Sequence, residues 1–129
     1  MTVLCDYCGG AAKLVGGEVI YPHRPDLAEL KFWHCAPCRA YVGCHRKNKK
    51  HGQDGMQPLG RLANAELRRA KSRVHAAFDP LWKDKNMTRR EAYVWLAGRL
   101  NIPVDDCHIG MFDVRTCDRA VSVIQERKI

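Results

Sequence analysis

The cysteines carry the most specific chemistry in this chain. Cys5-Asp-Tyr-Cys8 and Cys35-Ala-Pro-Cys38 are two CxxC pairs with 26 residues between them. Two intervening residues make a tight knuckle whose thiolates point at one ion, and two knuckles supply four ligands for a tetrahedral Zn²⁺. Gly9 and Gly10 follow the first pair, where a knuckle needs permissive backbone. A lone CxxC suits a redox pair or buried free thiols equally well. Two of them, flanking a strand-rich segment, point to zinc. Four thiolates fill the coordination sphere, so the one ion expected is structural.

Seven cysteines are an odd number, which no fully paired disulfide framework uses up. The first residues also lack a basic-then-apolar leader, and no run approaches the roughly 20 apolar residues of a membrane span. The expectation is a cytoplasmic protein with no membrane association. Cys44, His45, His75, Cys107, His108 and Cys117 are left over. They could build a second, mixed Cys/His metal site, but their spacing fits no knuckle. Buried small hydrophobes and capping histidines account for them more simply. Asp79, Asp105, Asp106 and Asp113 are read as helix caps. Trp82 and Trp95 are read as anchors between helices.

The elements that must position these residues follow from punctuation and periodicity. Residues 1–45 read as a zinc ribbon. Ala11–Val15 and Glu18–Tyr21 around Gly16-Gly17 predict a β-hairpin, and strands are expected entering and leaving the second knuckle. Residues 46–57 read as a basic loop, exposed and mobile. Residues 58–129 read as the helical part, one compact unit with the ribbon. Its first helix is expected from about Arg61 to Phe78, with an apolar stripe including Leu59, Leu62, Leu67, Val74 and Phe78, and a stop at Asp79-Pro80. Thr88-Arg-Arg-Glu91 is a capping box that starts a second helix, ended by Asn101-Ile-Pro103. A short connection leads to a last helix over about Val114–Glu126. The fold class is α+β: an N-terminal zinc ribbon of β-hairpins packed with a C-terminal bundle of about three helices.

Charge is unevenly placed. The 129 residues carry 22 Lys plus Arg against 14 Asp plus Glu, a net +8. Residues 45–90 hold thirteen of those cations and four of the anions, so the excess lies in the basic loop and first helix. Such clustering is the electrostatic footprint of a nucleic-acid binder. The residues expected to contact DNA or RNA are Arg46, Lys47, Lys49 and Lys50 on the loop, with Arg61, Arg68, Arg69, Lys71 and Arg73 on the helix. Phe32, Trp33 and Tyr41 could stack bases, or else pack the ribbon's small core.

Several strings resemble a known family as a set. They are Tyr21-Pro-His-Arg-Pro-Asp26, the segment from Phe32 to His45, Pro58-Leu-Gly60 and Phe78-Asp-Pro-Leu-Trp82, together with Ala92-Tyr-Val-Trp-Leu-Ala97 and Cys107-His-Ile-Gly-Met-Phe-Asp113. Together, from Cys5 to about Val121, they resemble an uncharacterised family of small zinc-finger-containing proteins from bacteriophages and bacteria. The resemblance implies zinc at Cys5, Cys8, Cys35 and Cys38 and a phage or prophage setting, hence the host-cell cytoplasm. It implies no activity. Three functions compete: nucleic-acid binding through the basic loop and helix, modulation or inhibition of an acidic host protein, and a metal-dependent nuclease using His45, His75 and His108. No phosphate-cradling glycine loop, nucleophile elbow or HExxH motif is present. The balance favours a non-enzymatic zinc-ribbon protein that contacts nucleic acid.

Overall fold

A computed structural model of the chain describes residues 1–84 and 87–127. Lys85, counted in the basic segment, and the last two residues lie outside the described residues. The chain divides into two compact units, Met1–Ala65 and Glu66–Ile129.

The first unit is built on a three-stranded antiparallel sheet, in the order β1 (Lys13–Gly16), β2 (Lys31–Cys35), β3 (Ala40–Gly43). Leu14 faces Trp33 across the first pair, and Trp33 faces Val42 across the second. The Gly16-Gly17 pair does not turn a hairpin, contrary to expectation. The chain winds instead into a single helical turn, α1 (Gly17–Ile20), and β1 pairs with the later β2. Close approach explains the change. The Gly17 amide donates to the Ala28 and Leu30 carbonyls, and a Cβ at Gly17 would run into the Leu27 carbonyl oxygen. The glycine admits a passing backbone where a tight turn was expected.

After β3 the chain does not leave the unit. Residues 44–57 fold out and back, and the returning segment lies along β3. The His45 amide donates to the Gln57 carbonyl, and Leu59 donates to Gly43. Tyr41 and Ala63 exchange both backbone bonds, at 3.1 and 3.0 Å. Leu62 is 1% exposed and joins Cys5, Ala12, Trp33, Cys35 and Ala40 in one core. The apolar spacing of Leu59, Leu62 and Ala63 mimics the start of a helix, yet this stretch is a bent, non-helical segment bonded along β3, and it serves the ribbon. The helix begins only at Ala65.

The second unit holds α2 (Ala65–Lys83), α3 (Arg89–Leu100) and α4 (Val114–Arg127). Leu67, Ala70, Val74, Phe78 and Leu81 form the buried stripe of α2. That stripe explains why the helix runs through Asp79-Pro80 instead of stopping there. Pro80 removes only the amide that would bond Ala76, an exposed residue whose carbonyl can take water, while the extra turn buries Leu81. Asp79 is therefore no cap. Its carboxylate pairs with His75 at 3.2 Å and Lys83 at 3.8 Å, four residues away on either side.

The capping box at α3 forms in full. The Glu91 amide donates to Thr88 Oγ1 at 3.0 Å, and the Thr88 amide donates to Glu91 Oε1 at 2.9 Å. Asn101 ends the helix in the left-handed conformation, φ 58. Two 3₁₀ turns, Val104–Asp106 and Ile109–Met111, make the connection to α4. Asp113 starts α4 by accepting from the Thr116 amide at 2.8 Å. Ala92, Leu96, Ala97 and Leu100 of α3, with Cys117, Ala120 and Ile124 of α4, complete the core. Trp82 and Trp95 are half-buried, and each has a guanidinium near its ring, Arg89 and Arg127. No described helix is long and apolar enough to cross a membrane.

Candidate metal centre

The first knuckle is shaped by its own amides. The Tyr7 amide donates to Cys5 Sγ and the Gly10 amide to Cys8 Sγ, each at 3.4 Å. The turn closes with Cys5 donating to the Gly10 carbonyl and Gly9 donating to Cys5. Gly9 sits at φ +74, where an L side chain is strained. The second knuckle repeats the turn with different chemistry. Arg39 occupies the place equivalent to Gly9 and accepts a positive φ of 52. Pro37 stands where Tyr7 does and has no amide to donate to Cys35.

β2 and β3 carry the second knuckle between their ends, and the register brings it to the first. One Sγ from each of Cys5, Cys8, Cys35 and Cys38 lies within 4.8 Å of the others. Cys8 Sγ and Cys35 Sγ are 3.8 Å apart. A tetrahedron with Zn–S arms of about 2.3 Å has edges of about 3.8 Å, so the cluster has the size zinc requires. Cys5 and Cys35 are buried, Cys38 is half-buried and Cys8 is exposed.

Protons report the same crowding. The Cys38 thiol is pushed up to about 12, first by its bond with Cys8, then by burial and by the Cys35 and Cys5 thiols. Burial pushes Cys5 up as well, but the Cys8 and Tyr7 amides and its thiol neighbours bring it below its ordinary value. Four thiolates cannot ionise together in this space without a cation to hold them. The cluster is a site for one structural zinc ion. It leaves no open coordination position for a substrate.

Two residues inside the first knuckle tie it to the far end of the unit. Asp6 Oδ2 accepts from the Leu62 amide at 2.8 Å, and Tyr7 Oη accepts from the Asn64 amide at 3.1 Å. The Trp33 indole donates to the Met56 carbonyl at 2.6 Å. None of these roles has a local sequence signal, because each partner lies 23 to 57 residues away.

The remaining Cys and His residues do not assemble in the same way. Among the described residues, the four knuckle cysteines are the one group of three or more potential ligands gathered this closely. Cys44 is half-buried with its thiol toward the Met56 carbonyl, at 3.7 Å, and His45 is half-buried beside it. In the second unit His75 is paired with Asp79 and His108 is exposed. Cys107 and Cys117 are buried, and burial pushes the Cys107 thiol up to about 11 and raises Cys117 too. A folded pKa above the unfolded value of 9.0 favours the fold while the thiol stays protonated. That contribution is full below about pH 9 and is lost as pH rises toward 11. We therefore expect Cys107 and Cys117 of the zinc-loaded protein to resist alkylation at pH 8, while chelation opens the four knuckle thiols to the reagent. Mass spectrometry of the labelled chain checks this. Rapid native labelling of Cys107 would contradict it.

The basic residues divide between the units. In the first, Arg46, Lys47, Lys49 and Lys50 are all exposed, and none has an ion-pair partner among the described residues. Their loop is ordered by its own bonds. Asn48 and Gln53 exchange backbone bonds, a 3₁₀ turn spans Lys49–His51, and Gly52 closes it at φ 67. Arg61 is half-buried, with its Nε out of solvent contact. On α2, Arg69 is exposed, Arg73 meets Asp118 at 3.5 Å, and Lys71 donates to the Gly110 carbonyl at 2.7 Å. Arg68 is half-buried and engaged. Phe32 and Trp33 are buried, which removes them as stacking platforms. Phe32 instead meets Tyr21 and Tyr41 edge-on, with centroids 5.8 Å apart in both pairs, and the two tyrosine hydroxyls are 2.7 Å apart.

The profile of a family described as a zinc-finger-containing domain matches residues 1–127. No curated protein and no solved structure matches the chain.

Proposed function

The chain belongs to the family of zinc-finger-containing domains and is a small zinc-binding protein; from that premise we propose that it binds nucleic acid through the basic tip that the ribbon holds out. One observation carries the reading: Arg46, Lys47, Lys49 and Lys50 stand exposed on a short hydrogen-bonded hairpin, with no carboxylate paired to them among the described residues. Paired surface cations are partly neutralised by their partners, whereas unpaired ones keep their full field for phosphates. Releasing counterions from DNA yields affinity without base readout. On α2, Arg69 is also exposed with no ion-pair partner among the described residues, whereas Arg73 is paired with Asp118. Lys71 and Arg68 are held by their own unit and contribute field more than contact.

The test is fluorescence anisotropy of labelled single-stranded DNA, duplex DNA and RNA across a salt series. Each phosphate contact adds a slope of roughly 0.9 on duplex in a log–log plot. Replacing Arg46, Lys47, Lys49 and Lys50 with Gln should flatten the slope by roughly 3 to 4 with zinc content unchanged. No binding at low salt, or a slope unaffected by the four changes, would remove the reading. The tip would then be a docking face for an acidic protein.

A further inference from the structure

The second unit contains a cleft to which no role has yet been given. Its volume is about 450 Å³, within the range of small-molecule sites. The first turn of α3 supplies Arg89 and Arg90, and the following turn supplies Tyr93. The connection after α3 supplies Val104, Asp105 and His108, with the buried Cys107 behind them.

The state of these side chains points to a ligand. The Arg90 side chain has no hydrogen bond or ion pair among the described residues. Arg89 is held over two rings, 5.5 Å from Trp82 and 5.7 Å from Tyr93. Attraction to the rings leaves the N–H donors of the guanidinium uncommitted to any carboxylate, and such a fork can meet a phosphate with two parallel bonds. The His108 side chain likewise has no partner among the described residues. The nearby Glu91 carboxylate is taken up by its own capping box. Asp105 is the one carboxylate in the wall. It would oppose a bare anion, but it accepts hydrogen bonds from sugar hydroxyls or base N–H groups. Tyr93 and Val104 line the apolar part of the wall.

We propose that the cleft formed by Arg89, Arg90, Tyr93, Asp105 and His108 binds a nucleotide, its phosphate on the arginines and His108 and its nucleoside against Tyr93, Val104 and Asp105. The proposal does not rest on the basic tip, which belongs to the other unit. A free mononucleotide and one nucleotide of a strand present the same chemistry.

Calorimetry on the full zinc-loaded chain tests it, with adenosine monophosphate, adenosine, inorganic phosphate and an oligothymidylate as probes. The expected result is binding of the monophosphate with inorganic phosphate and adenosine each about tenfold weaker or worse. Arg90→Gln should weaken the monophosphate about tenfold, and His108→Ala should weaken it less, with helical circular dichroism unchanged in both. Competition by the oligomer marks a strand as the source; binding of the monophosphate alone marks a free nucleotide. Neutralising the basic tip should leave monophosphate affinity unchanged, so failure of one site is separable from failure of the other. The proposal is overturned if the monophosphate does not bind, if phosphate binds equally well, or if folded Arg90→Gln binds as the parent does.

Discussion

Cys35→Ser leaves the first unit unfolded at room temperature, and so does chelation of the parent protein. The reason is the size of the core beneath the metal. Its six buried members are Cys5, Ala12, Trp33, Cys35, Ala40 and Leu62, and two of those are themselves ligands. A unit of about 65 residues buries too little apolar surface to be secure alone. A structural zinc supplies about 10–16 kcal/mol at neutral pH, which exceeds what such a core provides. Near-ultraviolet dichroism reads the loss through Trp33, whose indole is fixed on the Met56 carbonyl. Far-ultraviolet signal from α2, α3 and α4 should largely persist, because their core contains no ligand. A Cys35→Ser protein that keeps one zinc per chain and melts as the parent does would show that the ligand assignment is wrong.

Phe78→Ala acts on the other unit and should cost about 3–5 kcal/mol. Phe78 is 0% exposed, and its ring centroid lies 4.7 Å from that of Tyr93. The substitution removes this aromatic contact and leaves a cavity beside α3 that two helices cannot close without shifting. For a unit of this size, 1 kcal/mol moves the midpoint by about 4–8 °C, so the helical melt should fall by at least 12 °C. Zinc content and the Trp33 signal should not change. A loss below about 1 kcal/mol would mean that the site collapses around the smaller side chain.

The metal centre was legible because its chemistry is local. Each knuckle is four residues long, and its spacing alone states the geometry. The capping box at Thr88 and the stop at Asn101 were legible for the same reason. Non-local decisions were not. Whether Gly16-Gly17 turns a hairpin depends on the Leu27 carbonyl, which needs the space of Gly17. Whether Leu59, Leu62 and Ala63 start a helix depends on Gly43 and Tyr41, which take the backbone bonds of Leu59 and Ala63, and on Asp6, which takes the Leu62 amide. Pro80 misled for a related reason: a proline's local cost was visible, but the burial of Leu81 that offsets it was not. At the site, Asp6 and Tyr7 looked like spacers between ligands. Their partners at Leu62 and Asn64 are 56 and 57 positions away, beyond any window in which spacing can be read.

That long-range clasp has a consequence for how the protein is born. Synthesis makes the first knuckle before the second, Cys35 follows Cys8 by 27 residues, and the amides that grip Asp6 and Tyr7 come later still. At roughly 5–20 residues per second, the thiols of the first knuckle wait seconds on the ribosome with neither metal partner nor clasp. The exit tunnel also shields the newest residues, so the ribbon can close only after α2 has begun to be translated. A nascent chain halted near residue 45 would contain every zinc ligand and still lack the strap that locks the first knuckle in place.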